Sequence, residues 1–360
     1  MRRLAIALLF TALSLGPSLH ASTLPEAVAG RDTLIVLAKR GAVARFVDAK
    51  SGETFLSLPT GTGPHEVAVS PDGSRAVVAD YGDATPGTTL TVFDLASGTV
   101  ANTLSLKELI RPHGVQFLPD GKRLAVTSES TRSLLVIDVD SGALVHRIPT
   151  RARTSHMVVI TPDGRFAFVS NITSGSVSVV NLEEGAFIKE IPTGAGCEGM
   201  DISPDGTWLW TANRDANTLS VILVEAMRVA YEVECADFPI RLKFTTDGSQ
   251  AWVTCAESSQ VRIFDRDSRD EVGTIAIEAD LADDAGDRLF GASMQDSPVP
   301  IGLLMHPDGK TAYVAAANAD VVLAIDVATH KVTGGFSAGP EPDGLGFVNM
   351  SLDTKGNDDR

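Results

Sequence analysis

The 360-residue chain carries a formal charge of −16 and only three cysteines. That charge opposes nonspecific binding to nucleic acid or to an anionic membrane. Three cysteines allow at most one internal disulfide, so the fold is not built on disulfides, and no pair among Cys197, Cys235 and Cys255 is singled out by position.

The chain opens with Arg2 and Arg3, an apolar run from Ala5 to Leu15, and then Leu19-His20-Ala21. This order is the pattern of an export signal, and the run is short for a membrane span. Residues 1–21 are expected to be removed near Ala21, leaving a periplasmic or secreted protein with no transmembrane segment. Three β-prone segments follow: TLIVLAK, AVARFVD and ETFLSLP.

A turn signal then recurs at Pro71-Asp72-Gly73, Pro119-Asp120-Gly121, Pro162-Asp163-Gly164, Pro204-Asp205-Gly206, Thr246-Asp247-Gly248 and Pro307-Asp308-Gly309. Pro presets φ, Asp bonds to nearby backbone and Gly tolerates positive φ, so each copy reads as a tight turn. Val, Phe, Trp and Tyr on either side favour strands. A third strand follows in most copies (LTVFD, SLLVID, SVSVVN, VRIFD, VVLAID), and a more polar fourth leads to the next. Four antiparallel strands in a unit of 42 to 48 residues match a propeller blade, with no helices of the kind βαβ units need.

Seven units begin, at Pro64-His65, Pro112-His113, Ser155-His156, Cys197-Glu198, Pro239-Ile240, Pro300-Ile301 and Pro342-Asp343. The last is followed by a single strand, GLGFVNM, and the three N-terminal segments supply the missing ones. The expected fold is an all-β, seven-bladed β-propeller over 30–350, its last blade closed by both chain ends, with a polar tail at 351–360.

PHEVAVSPDGSRAVVAD, PHGVQFLPDGKRLAVTS, FAFVSN, LWTAN and AYVAAAN resemble the YVTN family of β-propeller repeats. The resemblance implies architecture more than activity. Blade four departs from it at VILVEAMRV, which lacks the usual Asp and Ser-Gly turn. The chain also resembles some seven-bladed lactonases in its Pro-His starts near the turn, although PHE at 64–66 and PHG at 112–114 lack the Pro-Arg-His form of one such family.

Equivalent repeat positions lie on a ring. His65, His113, His156, Glu198, Ile240 and Ile301 each stand six residues before the turn, and Asp343 aligns with them through Pro342. This position should rim the central channel. Asp80, Ser128, Asn171, Asn213 and Cys255, seven residues after the turn glycine, are expected as an outer set on the same face. Three imidazoles and a carboxylate suit a divalent transition metal, so His65, His113, His156, Glu198 and Asp343 are the candidate ligands. The bland alternative is a capped, wet channel in which histidine serves only as donor and acceptor. Arg111, Arg151, Arg153 and Arg241 also lie near unit starts and are expected to be solvated.

The spacing between the last two turn signals is 61 residues, which marks an inserted acidic loop over 276–298. Asp280, Asp283, Asp284 and Asp287 give it charge, and Leu289, Phe290 and Met294 offer anchors for a lid or partner loop. Nothing in the chain makes a complete nucleophilic triad, a dinucleotide fingerprint or a phosphate loop. The leading functional expectation is a binding propeller for a small ligand, a metal or an envelope protein. The alternatives are a metal-assisted hydrolase or lactonase-like enzyme, and a non-catalytic envelope scaffold.

Overall fold

A computed structural model describes residues 31–288, 290 and 293–349. The expected export signal at 1–21 and the tail at 351–360 lie outside the described residues. The chain forms seven four-stranded antiparallel sheets. Six take their strands in simple succession, and the seventh pairs Pro342–Asn349 with Asp32–Ala38, setting Phe347 opposite Leu34 and Leu345 opposite Val36. The ends of the chain thus close the ring, as the N-terminal segments imply.

The burial pattern explains why the strands read as they do. Second and third strands, such as Arg123–Ser128 and Ser133–Asp138, are buried on both faces, which is why their apolar residues run together instead of alternating with polar ones. Fourth strands, such as Leu144–Pro149, face solvent and are polar or mixed. Blade faces pack against neighbouring blades: Trp210 joins Phe244 and Phe264 of the next sheet, and Trp252 sits with Leu303 and Val314 of the one after. The asparagine-like turn after the third strand is held by Asp94 and Asp138, which accept from Ser97 N at 2.7 Å and Ser141 N at 2.9 Å. Blade four has Leu223 in place of that side chain, and Met227 takes the left-handed φ of 48° that glycine supplies in four of the other blades.

The innermost strands start at the predicted unit starts and contact one another around the axis. Their approach is set by the residue after the ring position. In four blades it is glycine, and a Cβ on Gly114, Gly199, Gly302 or Gly344 would lie 2.6, 2.3, 2.0 or 2.2 Å from a carbonyl oxygen of the adjacent inner strand. The other three blades place Glu66, Met157 and Arg241 there, and these side chains line a cavity in the channel. Among the described residues no helix is long and apolar enough to cross a membrane.

Candidate functional site

One end of the channel opens into a cavity of about 300 Å³ that is lined by all seven residues of the predicted ring. The side chains that approach it from the loop between second and third strands come from the position after the expected outer set. Asp80, Ser128, Asn171, Asn213 and Cys255 are buried inside the blades. Asp80, for instance, accepts from Gly61 N at 2.9 Å and from Thr89 Oγ1 at 2.8 Å. The next residues, Tyr81, Glu129, Ile172 and Arg214, line the mouth. The period-two alternation of a strand turns adjacent side chains to opposite faces, so a one-residue offset exchanges a structural set for a functional one.

Glu129 is the important addition. His156 Nδ1 donates to Glu129 Oε1 at 2.5 Å, and Tyr81 Oη donates to Oε2 at 2.7 Å. The His113 ring stacks on that of His156 with centroids 3.5 Å apart, while His65 meets His113 edge-on at 5.1 Å. His113, Glu129 and His156 each offer a ligand atom, and these atoms lie within 4.8 Å of one another. Buried His113 Nδ1 has no hydrogen-bond partner among the described residues. Leaving a buried polar atom unpaired costs free energy, and a bound ion would satisfy it. The donor set therefore fits a divalent metal: two imidazoles and a carboxylate, with Tyr81 orienting the carboxylate from behind.

The remaining predicted ligands have other partners. Glu198 faces His156 Nε2 at 3.3 Å and Arg241 Nη1 at 3.3 Å, and pairs directly with Arg214 Nη1. Asp343 lies 3.2 Å from Lys39 Nζ and 3.8 Å from Arg241 Nη2. His65 Nδ1 is 2.8 Å from Gly63 O, which fixes Nδ1 as its donor. Arg241, expected in solvent, is buried. It reaches Glu66 Oε1 at 2.6 Å and separates the mouth from the second cavity of the channel. A guanidinium has enough donors to serve several carboxylates at once, which makes this burial tolerable.

These contacts set the protonation states. Burial pulls His156 down, but Glu129 and Glu198 overcome it and raise its pKa to about 9. Burial pushes Glu198 up, yet His156, Arg214 and Arg241 bring it to about 2. Burial, reinforced by the positive charge of Lys39, takes His65 down to about 3. Burial and the neighbouring His156 and His65 hold His113 well below the usual histidine value. Without a metal these pKa directions favour one cationic imidazole, His156, beside two neutral ones, and a bound divalent ion would have to displace the His156 proton.

The Ile240–Ile301 side of the ring has a structural cause. Part of the 276–298 insertion, of which 289, 291 and 292 lie outside the described residues, packs against it. Phe290, Met294 and Val299 pack on Ile240, Ile301, Ala256 and Ala317. Arg288, 1% exposed in its side chain, donates to Ala317 O at 2.6 Å and to Asp320 Oδ1 at 2.5 Å and also pairs with Asp284. Arg40, from the closing blade, reaches Asp284 Oδ2 at 2.7 Å. The insertion is a strap, and the repeat turned apolar where the strap covers it. Of the expected anchors, Leu289 lies outside the described residues. Phe290 also stacks at 5.7 Å on Arg214, whose other neighbour is Phe238 at 5.2 Å.

Residues 38–276 match the family described as lactonase, 7-bladed beta-propeller. Solved structures with the same fold include the periplasmic gluconolactonase of Pseudomonas aeruginosa, at TM-score 0.69 and 18% identity, covering 89% of this chain and 99% of that one. A functionally unknown protein from Desulfotomaculum acetoxidans superimposes at TM-score 0.72 and 15% identity, over 88% of this chain and 99% of that one. Hydrazine synthase of Kuenenia stuttgartiensis does so at TM-score 0.66 and 18% identity, over 78% and 88%. At these identities the structures show the fold alone. No curated protein matches the sequence.

Proposed function

The chain belongs to the seven-bladed β-propeller lactonase family, and from that membership we propose that it is a metal-assisted hydrolase that opens a cyclic ester at the channel mouth. The observation that carries this reading is the buried triad of His113, Glu129 and His156. A divalent ion bound there would polarise an ester carbonyl and lower the pKa of water. Tyr81 holds Glu129 in place through its second oxygen. Arg214, held by Glu198 and by two aromatic rings, presents a planar donor fork at the rim for orienting a substrate oxygen. His65, neutral with Nδ1 engaged, leaves Nε2 as an acceptor in the wall. Phe290 of the strap adds an apolar wall to the mouth.

One observation favours a second reading. His156 lies between Glu129 and Glu198 with a pKa near 9, the arrangement of a buried imidazolium that acts as a proton donor without a metal. Both readings are enzymatic. The family and the triad favour them over a binding module or an envelope scaffold, and they make a small ligand, rather than an envelope protein, the partner. From the residue 1–21 pattern the proposal includes an activity in the periplasm or outside the cell. The YVTN-like repeats describe the scaffold on which the site is mounted.

The test is metal analysis of the purified protein together with pH-stat hydrolysis of a neutral γ-lactone. The metal reading expects a stoichiometric divalent ion, with ion and hydrolysis both lost in His113→Ala. Metal-free protein that hydrolyses the lactone undiminished in chelator supports the second reading. Metal-loaded protein that opens no lactone of any ring size overturns both.

A further inference from the structure

Three cysteines leave the disulfide pairing open in sequence, but their tertiary placement does not. Cys235 and Cys255 are wholly buried, and their sulfurs stand 3.8 Å apart. Cys197 sits in a different apolar cluster, where its sulfur contacts Thr211 Oγ1 at 3.1 Å. We propose that Cys235 and Cys255 form a disulfide that fixes the connection between blades four and five, and that Cys197 remains a thiol.

The sites on the backbone suit this role. Cys235 follows the outermost strand of blade four, Arg228–Glu234, and its N–H donates to Asn217 O at 2.9 Å. Cys255 ends the second strand of blade five, directly opposite Pro239 on the innermost strand. Both ends are therefore anchored in ladders before any bond forms, and the sulfurs need close only a short gap to reach bonding distance. The bond would span the segment containing Phe238 and Arg241. Phe238 is one of the two rings on Arg214, and Arg241 closes the floor of the mouth. A covalent tie here holds the connection that shapes one wall of the site.

The oxidation needs a disulfide partner, either a small disulfide such as oxidised glutathione or a protein disulfide. A thiolate of one cysteine attacks that disulfide, releasing one thiol and leaving a mixed disulfide. The second cysteine displaces the other half, so two protons and two electrons pass to the two released thiols. The hydrogen bond to Cys255, together with burial, pushes the Cys235 thiol pKa up, so the folded pair exchanges slowly.

The test is to refold the wild-type chain with oxidised glutathione, alkylate it under denaturing conditions, and map the peptides by mass. The expected result is loss of two hydrogens, one linked peptide pair carrying Cys235 and Cys255, and an alkylated Cys197. Reduction should lower the melting temperature by several degrees. Cys197→Ser should retain the linked pair, whereas Cys255→Ser should give protein with no internal disulfide. Folded, oxidised wild-type protein with three alkylated cysteines, or with a bond to Cys197, overturns the proposal. Because the wild-type mapping decides the outcome, a variant that fails to fold does not blunt the test.

Discussion

Replacing Arg241 with methionine tests whether the buried charges of the channel are balanced as the geometry indicates. Methionine keeps much of the volume and removes the cation. The guanidinium is within 2.6 Å of Glu66 and 3.3 Å of Glu198, with Asp343 at 3.8 Å, and its side chain is only 10% exposed. Taking away one partner of such a group leaves buried carboxylates uncompensated, which costs about 3–5 kcal/mol. In a domain of this size that corresponds to a fall in melting temperature of roughly 4–8 °C. Glu66 is the closest partner, so the double variant Arg241→Met/Glu66→Gln should recover about 1–2 kcal/mol of the loss by removing one orphaned charge. Urea denaturation of wild type, single and double variants at neutral pH measures both quantities. A single-variant loss under about 1 kcal/mol, or a double variant less stable than the single, would refute the assignment of Arg241 as the central counter-ion.

Four further outcomes follow from the structure. Gly114→Ala should destabilise the fold by about 1–3 kcal/mol and lower metal content, because its Cβ would meet His156 O at 2.6 Å and displace a ligand strand. Gly286→Ala in the strap, where a Cβ meets nothing within 4 Å, should be near neutral in the same denaturation series. Arg288→Ala should release the strap alone: hydrogen exchange and proteolysis should quicken across 280–297 while the blades keep their protection, and unchanged protection there would show that the apolar contacts suffice. Hydrogen bonds from Ser N–H groups depress the turn carboxyls of Asp48 and Asp94, and bonds from the Ser70 and Thr161 hydroxyls do the same for Asp72 and Asp163. Their folded pKa values lie below the unfolded ones, so their contribution is complete above about pH 4 and is lost as pH falls through the folded values. The denaturation midpoint should therefore fall as pH drops below about 4, and a flat acid profile would refute a contribution from these turns.

Much of the molecule is written in local sequence. The Asp-Gly turns, the two-faced apolar strands and the N-terminal segments specify blades and ring closure, because each depends on neighbours within one unit. The ring position was legible for the same reason: seven residues in register had to meet at the axis, and all seven line the mouth. Glu129 was within reach of the same method, one residue beyond the set chosen, but the direction of a side chain at a strand end depends on where the ladder stops. Arg241 shows a different limit. A lone arginine reads as solvated, and only the convergence of Glu66, Glu198 and Asp343 from three other blades makes its burial favourable.

The cysteine pair and the strap teach the same lesson at longer range. The sequence recorded an acidic insertion and two isoleucines in a ring of polar residues, with no link between them. The tertiary structure lays one over the other, through Phe290 and Met294. Sequence by itself determined the repeat, its register and the positions facing the axis, since hydrogen-bonded turns and strand periodicity are local. Tertiary structure alone decided which of those side chains share a proton, fit a metal or neutralise one another, because such energies depend on distances across blades that no single repeat encodes.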